Sequence, residues 1–208
     1  GYTQVFSNAG AFAAMKPDGS ITTWGNATHG GDTYGNSGMP TDNGYTNIYN
    51  TYSAFAALKA DGSITAWGPE FHGGSNAPTD NGYTEIVGTT LNSNGGAFAA
   101  VKADGSITAW GNEGYGGSGA PIDSGYTQIF ANGRAFAALK EDGSITAWGN
   151  AGNGGGGAEL DDDELGFLFL AILTMLFFTC EKPGLPFRYC CLIKVACVWS
   201  VVLHRGLL

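Results

Sequence analysis

Short apolar runs separated by glycine-rich polar stretches recur along residues 1–158. In the last copy the runs are Tyr126–Phe130 (YTQIF), Ala135–Lys140 (AFAALK) and Ser144–Trp148 (SITAW). Each is short, β-branched or aromatic, and bounded by turn-forming residues, which predicts a strand. In AFAALK both alternating faces are apolar: Phe136 and Ala138 on one, Ala135, Ala137 and Leu139 on the other. A strand covered on both sides reads this way, and its alanines let neighbouring sheets approach closely. So much alanine also suits a helix, but Asp142-Gly143 interrupts the run too early for one. Asp-Gly predicts a hairpin turn with positive φ at both central residues.

The pattern returns as AFAAMKPDGSITTWG from Ala11, AFAALKADGSITAWG from Ala54, AFAAVKADGSITAWG from Ala97 and AFAALKEDGSITAWG from Ala135. Trp24, Trp67, Trp110 and Trp148 are spaced by 43, 43 and 38 residues, whereas the Gly-Tyr-Thr triplets at Gly1, Gly44, Gly82 and Gly125 are spaced by 43, 38 and 43. The two series reconcile as a 38-residue unit with five-residue insertions in Gly31–Gly38 and Gly88–Gly96. Insertions at different points of a repeat mark loops. The repeats run 1–43, 44–81, 82–124 and 125–158, the last incomplete, and a different segment occupies 159–208. The fold class expected is all-β: four tandem repeats of about 38–43 residues, each a blade, stacked as in a β-propeller. The rival is a β-solenoid, whose coils are usually shorter. Three strands per unit are evident, and a fourth is not.

Composition narrows the function. Among 208 residues there are 35 glycines and only 13% charged residues. Residues 1–158 hold five basic residues (Lys16, Lys59, Lys102, Arg134, Lys140) against twelve acidic ones, a net of −7, and no cysteine. Nucleic-acid affinity comes largely from cationic neutralisation of phosphates, so no nucleic-acid partner is expected. No Gly-Lys-Ser/Thr follows the glycines of 152–157, and no G-x-S-x-G elbow occurs. Phosphate-loop and serine-hydrolase chemistry therefore lack a signature, and neither an enzyme nor a cofactor is expected.

The segment A-hydrophobic-K-x-D-G-S-hydrophobic-T-x-W-G, followed by a glycine pair, resembles the repeat of the regulator of chromosome condensation family. It departs from that repeat in length and in the residues after Trp-Gly. Here His29-Gly30-Gly31, His72-Gly73-Gly74 and Tyr115-Gly116-Gly117 stand where the family has G-Q-L-G. The resemblance implies propeller blades, a protein-interaction role, and a parent chain with more repeats than the four seen here. Family members can promote nucleotide exchange on small GTPases, but no residue here carries that role over. The alternative is an extracellular glycan-binding or adhesin-like repeat.

Three sets of recurring residues are candidates for chemistry. Asp18, Asp61, Asp104 and Asp142 each stand alone before Gly, which suits a turn better than a calcium loop with its run of oxygen ligands. Trp24, Trp67, Trp110 and Trp148 end a strand and are read as filling the space between blades. Five residues after each Trp come His29, His72, Tyr115 and Asn153, in a loop before glycine. In a propeller these would form a rim on one face, and they are the candidate binding residues. Two histidines without a completing Cys or carboxylate pattern do not make a zinc site. Asn26-Ala27-Thr28 is a glycosylation sequon, which matters only if the chain is secreted.

After Trp148 a fifth repeat is due near Asp163, but the chain turns acidic and then apolar. Leu165–Cys180 carries no charge over 16 residues, just short of the roughly 17–25 of a membrane helix. Acidic residues precede it, while Lys182, Arg188 and Lys194 follow, which would place the repeats outside the cell. Cys180, Cys190, Cys191 and Cys197 all lie in this segment. Three readings stay open: an apolar helical membrane anchor, a folded helical cap, and translation out of frame.

Overall fold

The computed structural model describes residues 1–31, 38–91 and 93–157. The readings made for the segment from 159 onward, including the apolar run Leu165–Cys180, lie outside the described residues, as does most of the first insertion. Among the described residues no helix is long and apolar enough to cross a membrane.

Each repeat forms one antiparallel three-stranded sheet, in sequence order. The first is β1 (Gln4–Ser7), β2 (Ala11–Met15) and β3 (Ile21–Gly25), and the second is β4 (Tyr45–Asn50), β5 (Phe55–Lys59) and β6 (Ile64–Trp67). The third is β7 (Tyr83–Gly88), β8 (Ala97–Lys102) and β9 (Ile107–Gly111), and the fourth is β10 (Tyr126–Ala131), β11 (Ala135–Lys140) and β12 (Ile145–Gly149). No strand of one sheet pairs with a strand of another. Successive coils of a solenoid would hydrogen-bond to one another, so the repeats are blade-like. First strands adjoin in turn: β1 meets β4, β4 meets β7, and β7 meets β10.

Three similar cores lie between consecutive sheets. Between the first and second, Ala11, Ala13, Met15 and Ile21 meet Tyr45, Ile48, Phe55, Ala57 and Trp67. Ala54, Ala56 and Leu58 meet Tyr83, Ile86, Phe98, Ala100 and Trp110 at the next junction. At the last, Ala97, Ala99, Val101 and Ile107 meet Tyr126, Ile129, Phe136, Ala138 and Trp148. Every sheet thus has a forward face of small and aliphatic residues and a backward face built on a stacked Phe–Trp pair, with ring centroids 5.2–5.4 Å apart. Alanine on one face leaves room for rings on the other, which is why the middle strand alternates Ala with Phe.

The hairpin turn is not of the expected kind. Among the described residues only Asn76 has positive φ outside glycine, so Asp18, Asp61, Asp104 and Asp142 stay in the ordinary region. The Gly19 amide donates to the Lys16 carbonyl, closing a turn in which Gly19 alone, at φ 77°, is left-handed. Such a turn suits Pro17 at its second position and glycine at its fourth. The Asp18 carboxylate accepts from the Ser20 amide (3.0 Å) and hydroxyl (2.8 Å), and the other three Asp-Gly-Ser turns repeat this. The threonine of Gly-Tyr-Thr marks a β-bulge in the second, third and fourth sheets. Its hydroxyl donates to the facing strand: Thr46 to Leu58, Thr84 to Val101, Thr127 to Leu139.

Candidate functional site

The described unit has two ends. One carries the Asp-Gly turns and the starts of β4, β7 and β10, since the Gly44, Gly82 and Gly125 amides donate to the Asp18, Asp61 and Asp104 carbonyls of the preceding repeat. The other carries the loops between first and second strands, together with four short 3-10 turns at Ala27–His29, Glu70–His72, Glu113–Tyr115 and Ala151–Asn153. His29, His72, Tyr115 and Asn153 therefore each end such a turn. A left-handed glycine follows each of them (Gly30, Gly73, Gly116, Gly154).

The rim end is fixed from below. Asn8 Nδ2 donates to the His29 carbonyl (2.7 Å), the Thr51 hydroxyl to the His72 carbonyl (2.8 Å), and Asn132 Nδ2 to the Asn153 carbonyl (2.8 Å). The same side chains accept from amides at the start of the following strand, those of Ala11 and Ala135, which begin β2 and β11, and of Ala54, which immediately precedes β5. One residue thus ties the 3-10 turn to the sheet in three of the repeats. Neither the Asn/Thr exchange nor its distance from the turn makes this visible in the sequence.

Two clusters of side chains lie on this end. Tyr52 sits between His29 (6.1 Å between ring centroids) and His72 (6.2 Å), so two repeats contribute to one aromatic row. The Arg134 guanidinium lies over the Tyr115 ring at 5.5 Å, joining the third and fourth repeats. His72 is buried, 8% exposed, and its Nδ1 finds no hydrogen-bond partner among the described residues. Burial first, and the neighbouring His29 second, push the His72 imidazole below its ordinary range, so it is neutral at pH 7. The Thr28 hydroxyl lies 3.0 Å from His29 Nδ1. Asn153 is exposed and joins neither cluster through its side chain. Tyr52 and Arg134 fall at non-equivalent positions of their repeats, so a search by periodicity passes over them.

The turn end carries a network repeated three times. The Tyr45 hydroxyl donates to Asp42 (2.9 Å) and meets the Thr65 hydroxyl (2.8 Å), while Lys59 pairs with Asp42 and lies 4.9 Å from the Tyr45 ring centre. Asp80, Tyr83, Lys102 and Thr108 repeat the arrangement, as do Asp123, Tyr126, Lys140 and Thr146. The lysine, and then the tyrosine hydroxyl, hold each of Asp42, Asp80 and Asp123 below the usual carboxylate range. The Asp-x-Gly-Tyr spacing was available in the sequence as Asp42, Asp80 and Asp123 before Gly-Tyr. Both oxygens of each carboxylate are committed, one to the tyrosine hydroxyl and one to the lysine of the following repeat, which makes this a brace rather than an open site. Among the described residues no cluster of three or more His, Cys, Asp or Glu could hold a metal ion.

Trp67, Trp110 and Trp148 are buried, and their indole N–H groups donate to the Gly30, Gly73 and Gly116 carbonyls of the preceding repeat (3.2, 3.0 and 3.1 Å). Trp24 differs: it stacks on Phe12 but is 40% exposed, because no described sheet precedes it.

No family model and no curated protein matches the chain. Solved structures similar to it include Prp20p from Saccharomyces cerevisiae, reported with its binding to Gsp1p and histones (14% identity, TM-score 0.49, 71% of this chain and 43% of that one). Human WBSCR16 is similar at 14% identity and TM-score 0.47, over 71% of this chain and 47% of the other. The CRINKLY WD40 ectodomain of the Arabidopsis thaliana receptor kinase ACR4 is similar at 16% identity and TM-score 0.48, over 71% and 50%. The chain therefore spans half or less of the length of each of these three. The fold described above rests on the strand pairing and the three recurring cores, not on these likenesses. The solved structures to which this chain is similar thus include yeast RCC1 (Prp20), a protein of the type whose repeat signature the sequence resembles.

Proposed function

We propose that this chain is a non-enzymatic protein-interaction scaffold whose contact surface is the rim end. The observation that carries the reading is the row His29–Tyr52–His72 together with the separate pair Tyr115–Arg134 at the same end. Tyrosine and arginine are over-represented in protein-binding hot spots; tyrosine brings a large, rigid contact area at modest entropic cost, and arginine a planar fork of hydrogen-bond donors. The two histidines of the row stand on turns whose carbonyls are tied to the sheets by Asn8 and Thr51, so little ordering of that backbone is left for binding. The scarcity of cations in residues 1–158 argues against a phosphate-backbone partner.

Affinity capture with the full chain tests this. A Tyr52→Ser, Arg134→Ser variant is compared with an Asp61→Asn, Asp104→Asn variant of the turn end. The scaffold reading expects specific protein partners lost from the first and kept by the second. Equal loss from both would refute the assignment to the rim. Saturable sugar binding on a glycan array, with no protein captured, would replace this reading with the glycan one.

A further inference from the structure

Between the second and third repeats the rim end opens into a cleft of about 430 Å³, lined by Glu70, Phe71, Asn76, Asn112, Glu113 and two glycines. Described sheets stand on both sides of it. Glu70 and Phe71 come from the 3-10 turn of the second repeat, Asn112 and Glu113 from the start of that of the third. Phe71 is 71% exposed. The residues at its place in the other repeats, one before His29, Tyr115 and Asn153, are Thr28, Gly114 and Gly152, so the repeat itself does not call for a ring here. The backbone under that ring is fixed across the junction. The Gly96 amide, at the end of the second insertion, donates to the Phe71 carbonyl (3.0 Å).

Asn76 departs from the repeat as well. Its φ is 61°, where Gly38, Gly119 and Gly157 stand at the corresponding place with φ of 71°, 79° and 96°. Asparagine tolerates this left-handed backbone less easily than glycine does. What it adds is a side-chain amide, which donates to Glu70 Oε1 (3.3 Å) and holds that carboxylate at the cleft. Glu70 and Glu113 are both exposed. Alanine takes their place in the first and fourth repeats, as Ala27 and Ala151. Among the described junctions this one alone therefore has a carboxylate on both turns and a ring beside them. No Lys or Arg lines the cleft, and residues 1–158 hold twelve acidic residues against five basic ones.

We propose that this cleft receives a lysine or arginine side chain of a protein partner, its charge meeting the Glu70 and Glu113 carboxylates and its stem or guanidinium plane lying against the Phe71 ring. An aromatic face attracts a cation and also covers the methylenes that carry it. Carboxylates on both sides favour a cation over a neutral or anionic group. The proposal deepens the protein-interaction reading and rests on it, giving the partner a basic contact segment.

Fluorescence anisotropy on the full chain, in mild non-ionic detergent to cover its apolar C-terminal run, tests the proposal. The probes are labelled dodecapeptides repeating Gly-Ser-Lys, Gly-Ser-Arg or Gly-Ser-Gln. Saturable binding is expected of a basic peptide and not of the glutamine one. Glu70→Gln/Glu113→Gln should weaken it about fivefold to tenfold, and Phe71→Ala about twofold to fivefold. Glu85→Gln/Glu141→Gln removes the same charge outside the cleft and should leave the affinity within about twofold. Every substituted side chain is exposed, so the fold is kept. A wild type that binds neither basic peptide overturns the proposal. So does equal weakening by the two glutamine pairs, which would reduce the attraction to net charge, and so does an affinity unchanged in Phe71→Ala. Equal binding of the glutamine peptide overturns it too, as does a neutral glycan bound by wild type and lost in Phe71→Ala, which would give the cleft to sugars. Affinity capture keeps the two readings apart. Partners held by wild type and fully retained by Glu70→Gln/Glu113→Gln overturn the role of the cleft alone, whereas a wild type that captures no protein overturns the scaffold reading itself.

Discussion

Thr51→Val isolates what holds the rim to its sheet. Valine matches threonine in shape, so no cavity opens, but two hydrogen bonds vanish: the hydroxyl to the His72 carbonyl (2.8 Å) and the Ala54 amide to the hydroxyl (3.1 Å). Thr51 is wholly buried, so water does not replace it. Two net bonds and a stranded buried carbonyl amount to about 2–4 kcal/mol. With an m-value of about 2 kcal/mol/M, the urea midpoint of the full chain should fall by about 1–2 M. Asn132→Ala, at the corresponding place in the fourth repeat, is the control. Asn132 makes three such bonds, to the Asn153 carbonyl and from the Arg134 and Ala135 amides, but it is exposed. Water takes over there, and the loss should be about 1 kcal/mol. Counting bonds gives the opposite order. A larger loss from Asn132→Ala than from Thr51→Val would refute the argument that desolvation, rather than bond number, sets the cost.

Further expectations follow from the same geometry. Trp110→Ala removes a buried ring and its bond to Gly73 and should cost about 3–5 kcal/mol in equilibrium unfolding. The indole N–H groups of Trp67, Trp110 and Trp148 should exchange slowly with deuterium by NMR, because each is buried and bonded to a glycine carbonyl. The folded-state pKa of Asp42, Asp80 and Asp123 lies below the unfolded value, so their stabilisation is complete above about pH 4 and is lost as pH falls through the folded value. Urea midpoints taken across that acid range should therefore fall less steeply in an Asp42→Asn, Asp80→Asn, Asp123→Asn variant than in wild type.

Much of the fold is legible in the sequence because the repeat prints each strand four times. Alternation alone separates the two faces of the AFAALK-type strand: Phe136 and Ala138 pack backward, and Ala97, Ala99 and Val101 pack forward. The turn type is not legible in this way, because Asp-Gly is shared by two hairpin geometries and only the backbone tells which residues are left-handed. Periodicity finds His29, His72 and Tyr115, which occupy equivalent positions. It does not find Tyr52 and Arg134, which reach the rim from different places in their repeats, nor Thr51, whose bond spans 21 residues. Trp24 shows the converse limit. Its sequence environment is that of Trp67, and only the absence of a described sheet before it leaves it open.

Site-directed photocrosslinking tests the central claim, a rim that binds protein, most directly. A benzophenone-bearing phenylalanine replaces Tyr52 at the rim or, separately, the fully exposed Ile122 beside the turn-end brace. The account predicts a discrete adduct with another polypeptide from position 52 and none from position 122. Adducts from position 122 alone, or from neither, would contradict it.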